Sequence, residues 1–128
     1  MISKGSRTYD IEADDFPITF NASTDASKLP GLGDDVTFLF LDVNTGSRTK
    51  KKRSFTKNGA KSAKLVLDAA PDGPCDILFT LPVRFPAANP IDKPLQLLIV
   101  SDDDQKAKDE IKPEDEPIVL AHYVMRFR

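Results

Sequence analysis

The sequence has no tryptophan, a single cysteine and a single histidine, and each scarcity removes a class of chemistry. Cys75 has no second thiol to pair with, so no intrachain disulfide stands in for packing, and a reducing compartment is permitted without being required. His122 and Cys75 together are too few for a four-ligand Cys/His zinc site, a His₂Cys copper site or a facial triad with two histidines. A Ser-His-Asp or Cys-His arrangement would have to recruit His122, which sits in a strand-like run, and the chain has no Gly-x-Ser-x-Gly elbow. Phosphate loops of the Gly-x-x-x-x-Gly-Lys-Ser/Thr or Gly-x-Gly-x-x-Gly kind are also missing, Gly31-Leu32-Gly33 being a short turn beside Pro30. No apolar run approaches the roughly 18 residues of a bilayer span, so no transmembrane segment is expected. The first residues lead into polar positions rather than an apolar signal core, which predicts a product without a signal peptide, made in the cytoplasm and available for incorporation into a particle.

What remains is an ordinary globular composition: 128 residues, 40% hydrophobic and 30% charged, with eight phenylalanines. That is material for one core, and residues 1–128 are read as a single domain.

The apolar period is two nearly throughout, which predicts strands. In 77–85 the odd positions Ile77, Phe79, Leu81, Val83 and Phe85 are all apolar, and in 118–127 Val119, Ala121, Tyr123, Met125 and Phe127 share one face. Phe16, Ile18 and Phe20 mark a half-buried strand whose Pro17 suggests a sheet edge. Residues 36–43 are apolar at both parities, which predicts cover on both faces or a partner. Runs at 65–67 and 95–100, and a weaker one at 7–12, supply further strands. Turn chemistry separates them at Pro30-Gly31, Asn44-Thr45-Gly46, Asn58-Gly59, Pro71-Asp72-Gly73-Pro74 and Pro90. Asn58-Gly59 suits a type I′ turn joining a strand over 48–56 to one over 61–68. Only 103–112, with an aspartate N-cap and Pro113 as a stop, could form a turn of helix. The fold class expected is all-β, an antiparallel β-sandwich or jelly roll of about seven or eight strands.

The net charge of −2 conceals a segregation along the chain. Residues 43–67 carry eight basic side chains, Arg48, Lys50, Lys51, Lys52, Arg53, Lys57, Lys61 and Lys64, and no acid. Residues 101–117 have a local charge of −5 and the first 35 residues −4. Strand alternation puts Arg48, Lys50 and Lys52 on one side of a ribbon and Lys51 and Arg53 on the other. The simplest role for such a ribbon is a solvated edge whose lysines deter pairing with other chains. Its functional role would be a two-sided cationic arm for phosphates, anionic lipid heads or the acidic segment of a neighbouring copy. Phe55 is the only aromatic in the basic run, which argues against a base-stacking platform.

Asp102-Asp103-Asp104 with Asp109 and Glu110 offers oxygen ligands, yet the calcium-loop pattern fails at Ala107, where glycine is required, so no metal or cofactor is expected. The order of a lysine-rich strand (Lys50-Lys51-Lys52-Arg53), an alternating strand, then Leu97-Leu98-Ile99-Val100-Ser101-Asp102-Asp103-Asp104 with Asp109 resembles C2 domains over about half the chain. That resemblance implies an eight-stranded sandwich that binds lipid through calcium loops and a polybasic strand. The chain departs from that family in having no Ser-Asp-Pro-Tyr after the first loop and no Asn-Pro-x-Trp.

These features predict a non-catalytic structural protein, a coat-, decoration- or tail-type subunit of a virion capsid or similar homo-oligomeric self-assembly. Its basic segment at 48–64 would contact nucleic acid non-specifically or an acidic surface of neighbouring subunits. The alternative is a monomeric binding module for anionic lipid, another polyanion or an acidic protein partner. Acid pairs such as Asp14-Asp15 and Asp34-Asp35 do not predict an enzyme, because adjacent strand residues diverge. Neither His122 nor Cys75 acquires a role.

Overall fold

The computed structural model describes residues 2–3, 6–32, 35–86, 93–101, 104–113 and 117–128. Their strands form two packed sheets, and the only helical element among the described residues is a 3-10 turn at Ala13–Asp15. In the first sheet β1 (Ile2–Ser3) and β2 (Arg7–Ile11) both run parallel to β11 (Ile118–Phe127), which is followed by β8 (Cys75–Arg84), β4 (Val36–Asp42) and β5 (Arg48–Arg53). The second is ordered β10 (Asp104–Ile111), β9 (Leu95–Ser101), β3 (Ile18–Thr24), β7 (Ser62–Leu67) and β6 (Thr56–Lys57). All pairings other than those of β1 and β2 are antiparallel, so the chain is an all-β sandwich.

The period-two pattern sets the core. Ile77, Phe79, Leu81 and Val83 of β8 meet Phe20 and Ala22 of β3 and Leu95, Leu97 and Ile99 of β9 in one buried cluster, which Val119, Ala121, Tyr123 and Met125 of β11 complete. Phe79 is in contact with three other rings, with centroids 5.1 Å from Phe20, 4.8 Å from Phe38 and 4.9 Å from Tyr123. Pro82 lies in β8 beyond Phe79, where the register with β4 ends, so the strand carries a residue without an N–H where one neighbour has left.

Four expectations are corrected. The described part of the expected 103–112 helix, from Asp104 on, is not helical: Asp104–Ile111 is a strand, paired with β9 and bulged between Gln105 and Ala107. Its inward apolar residues, Ala107 and Ile111, are four apart, a spacing that a helix face and a strand face both satisfy. Pro17 does not mark an edge: the cis Phe16-Pro17 bond precedes β3, which is the centre of its sheet, between β9 and β7. Residues 36–43 are not covered on both faces: Val36, Phe38 and Phe40 enter the core, while Leu39 and Leu41 are half-buried on the outer face and Val43 is 43% exposed.

The fourth correction concerns the basic segment. Asn58-Gly59 does not join a 48–56 strand to a 61–68 strand, because Arg48–Arg53 pairs with β4 in the first sheet while the turn connects the two-residue β6 to β7 in the second. The Asn58 N–H reaches the Ser62 carbonyl at 2.8 Å and Gly59 has φ +83°, a longer loop than a type I′ pair. The chain changes sheet at Ser54-Phe55, where the half-buried Phe55 ring packs on the core and holds the crossover. The turn that closes the β4–β5 hairpin is the Asn44-Thr45-Gly46 one: Asp42 Oδ1 accepts the N–H groups of Asn44 and Thr45 at 2.8 and 3.0 Å, and Gly46 supplies φ +74°. Those two hydrogen bonds hold the Asp42 carboxyl below the ordinary carboxylate range. The turn expected at Pro90 lies outside the described residues.

Candidate functional site

Splitting the basic segment between sheets does not scatter it. β5 is the last strand of the first sheet and β6 the last of the second, and both lie on the same side of the sandwich, bridged by Arg53 Nη2 of β5 at 3.7 Å from Asp68 Oδ1 after β7. Six of the eight cations therefore occupy one long edge, with Lys61 and Lys64 one strand further in, beside β3.

The β4–β5 register decides which way each points. Arg48, Lys50 and Lys52 stand opposite Leu41, Leu39 and Thr37 and share the outer face of the first sheet, while Lys51 and Arg53 stand opposite the core residues Phe38 and Val36. The expected division of the strand into Arg48/Lys50/Lys52 and Lys51/Arg53 sides is thus present. Lys51 reaches over the Phe40 ring, its Nζ 5.1 Å from the centroid, and covers that ring at the open side of the core. Lys57 lies on β6, Lys61 in the following loop, and Lys64 on the outer face of β7.

Arg53 alone among these eight makes an ion pair with a described residue, and that pair is exposed on both partners, a geometry worth about 0–1 kcal/mol. Asp35, Asp42, Asp68 and Asp72 lie on the cationic side, Asp35 bonded to Ser54 and Asp42 and Asp72 lining a groove with Lys51, while other acids sit across the molecule. Asp10 on β2 and Asp104, Asp109 and Glu110 on β10 lie at the opposite edge, where Arg7 of β2 meets Asp109 of β10 at 3.1 Å and Lys106 meets Asp15 at 2.9 Å. Five strands make up the width of the first sheet, so the two edges are about 19 Å apart at the usual strand spacing. Asp102, Asp103 and residues 114–116 of the acidic segment, and Asp34 of the second acid pair, lie outside the described residues.

The remaining candidates are engaged separately among the described residues. Asp15 is turned away from Asp14 into a buried clasp, accepting the Glu12 N–H at 2.8 Å and the Ser101 hydroxyl at 3.3 Å. Asp35 accepts the Ser54 hydroxyl at 2.8 Å. Burial, with Asp76 and Asp42 nearby, pushes the Cys75 thiol up, which disfavours the thiolate. His122 Nδ1 lies 2.9 Å from Thr80 Oγ1 on the outer face of the first sheet, in a shallow depression of about 510 Å³, and no third group holds its other ring nitrogen among the described residues. Among the described residues no group of three or more His, Cys, Asp or Glu side chains is arranged to hold a metal ion, and no helix is long and apolar enough to cross a membrane.

Sequence reasoning missed the surface beside the cations. Leu39, Leu41, Leu78, Leu120 and Val124 make the outer face of the first sheet largely apolar and half-buried, with Arg48, Lys50 and Lys52 along its rim. The signal was the double parity of 36–43, which reflects this face rather than a second covering layer. No family model matches the chain, C2 domains included, and no curated protein or solved structure matches it either.

Proposed function

We propose that the protein is a non-catalytic binding and assembly subunit that sets its cationic edge against an acidic surface of a neighbouring molecule. One observation carries this reading: β5 and β6 put six cations on one side of the sandwich, and seven of the eight basic side chains of 48–64 make no ion pair among the described residues, while Asp10, Asp104, Asp109 and Glu110 lie at the far edge. Opposite charges on opposite edges favour a heterologous, edge-to-edge contact between copies, which builds rings or filaments rather than closed pairs. Unpaired cations also accelerate encounter with an acidic partner and make it salt-dependent.

Measuring mass in solution against salt tests the reading. Larger species at low ionic strength that dissociate as salt is raised support it, and replacing Lys50, Lys51 and Lys52 together with Glu should abolish them. A monomer at every concentration and salt, in the presence and absence of an acidic partner, would leave the edge as solvated protection only.

A second reading, a monomeric module for anionic lipid or another polyanion such as nucleic acid, draws on the apolar outer face beside the Arg48/Lys50/Lys52 row. Vesicles containing anionic lipid separate it from the first, since only this reading has the monomer co-sediment with them.

A further inference from the structure

The two sheets have four edges, and three are blunted. β6 is two residues long, β10 is bulged between Gln105 and Ala107, and the β1/β2 edge shifts register on β11 by one residue, from Ser3 opposite Leu120 to Arg7 opposite Tyr123. Short, bulged or register-shifted edges are backbone devices by which sheets avoid recruiting a further strand, and edge lysines are a side-chain device that repels basic strands. β5 has none of the backbone devices: its six residues, Arg48–Arg53, hold an unshifted register with β4 and contain no proline.

The hydrogen-bond phase of β5 follows from the hairpin turn. Asp42 N–H donates to the Ser47 carbonyl at 2.9 Å, so Ser47 and every second residue after it, Thr49, Lys51 and Arg53, turn backbone groups toward β4. The N–H and C=O groups of Arg48, Lys50 and Lys52 then face away from the sheet. The Arg53 guanidinium donating to the Lys52 carbonyl at 2.8 Å agrees with that direction. The backbone groups left for a further strand, the N–H and C=O of Arg48 and Lys50 and the N–H of Lys52, whose carbonyl already takes the Arg53 guanidinium, therefore belong to the same three residues whose cationic side chains line the outer face.

We propose that β5 is a strand-addition site: an extended acidic peptide segment of a partner joins the first sheet there as a further strand. This deepens the reading of the edge as a contact for an acidic partner and rests on it. Backbone hydrogen bonds to Arg48, Lys50 and Lys52 supply affinity, and acids at alternate positions of the incoming strand lie beside the three cations on the outer face. The intervening side chains turn toward a groove of about 350 Å³ lined in part by Phe40, Thr49, Lys51 and Pro71. Asp42 and Asp72 also line that groove, so uncharged residues belong there and the acids belong outside. Cations along the edge select as well as attract. A second copy of β5, or any basic strand, would oppose like charges, which excludes self-pairing at this edge and leaves acidic strands as the accepted class.

The test uses the full chain and a ten-residue peptide of alternating Glu and Thr. The peptide should bind with an affinity that falls with salt, and the amides of Arg48, Lys50 and Lys52 should become protected from hydrogen exchange. Lys50→Pro removes an N–H that β4 does not use, so the fold tolerates it at an edge, whereas Lys50→Gln removes the same charge and keeps the donor. The proline variant should bind about tenfold more weakly than the glutamine variant. Methylating alternate backbone nitrogens of the peptide should cause a similar loss in the unaltered protein, which reads the same bonds without altering the fold. Equal binding by both variants together with tolerance of N-methylation would overturn strand addition and leave the acidic-partner reading standing. Absence of binding by any acidic peptide at low salt would overturn both. A single-stranded oligonucleotide of equal charge that binds more tightly than the peptide would also overturn the proposal, assigning the edge to a phosphate backbone.

Discussion

Tyr9 and Tyr123 stack with ring centroids 6.3 Å apart, yet their hydroxyls have opposite fates. Tyr123 donates to Asp109 Oδ2 at 2.7 Å, joining β11 to β10 across the two sheets, whereas the Tyr9 hydroxyl is buried without a partner among the described residues. Removing a hydroxyl bonded to a carboxylate costs about 1.5–3 kcal/mol, while removing one that is buried and unbonded is neutral or stabilising. Tyr123→Phe should therefore lower the urea midpoint and Tyr9→Phe should hold or raise it; equal losses in both would show that the rings rather than the hydroxyls set the stability.

The same phenol sets an alkaline limit. Burial first, then the bond to Asp109, push the Tyr123 hydroxyl well above its ordinary value. Its folded pKa is raised, so the stabilisation is complete below about pH 10, where the unfolded phenol ionises, and is lost as pH rises beyond it. Wild-type stability should fall above pH 10 more steeply than that of Tyr123→Phe.

Asp15 sets the acid limit. Burial alone would raise its carboxyl, but the Glu12 N–H, the Lys106 ammonium and the Ser101 hydroxyl outweigh it and hold the group below the usual range. The stabilisation is present above the ordinary carboxylate pKa of about 4 and is lost as pH falls through the lower folded value. Asp15→Asn should be less stable at neutral pH, by roughly 1–3 kcal/mol, with a gap that narrows below pH 4 in denaturation curves measured across that range.

Phe79 stands at the junction of the aromatic cluster, touching rings from β3, β4 and β11. Truncation to Ala leaves a cavity bounded by all three and should cost about 3–5 kcal/mol, a large share of a typical 5–15 kcal/mol domain stability. A shifted urea midpoint with an unchanged slope would be the signature.

These residues show which parts of the architecture were written locally. β8 and β11 could be read directly, because each buries one face and exposes the other, and alternation reports that state. β10 could not: its inward Ala107 and Ile111 fit either period, and its identity as a strand comes from pairing with β9 and from ties to Asp15 and Tyr123, contacts made by residues distant in sequence. The list of cations was visible in the sequence, as was their division between two sides of a strand. Their spatial arrangement was not, because the Asn58-Gly59 signal is local and cannot report that Phe55 pulls the chain into the other sheet. That crossover turns an imagined ribbon into an edge shared by both sheets.

The parallel pairing of β1 and β2 with β11 has a mechanical consequence. Ile2 lies beside Val119 and Ile11 beside Phe127, so tension entering through β1 and leaving through the end of β11 pulls the two strands past each other along their length. The inter-strand bonds are then loaded together in shear rather than peeled one at a time, and rupture requires many to fail at once. In that direction the sandwich resists stretching as a clamp does.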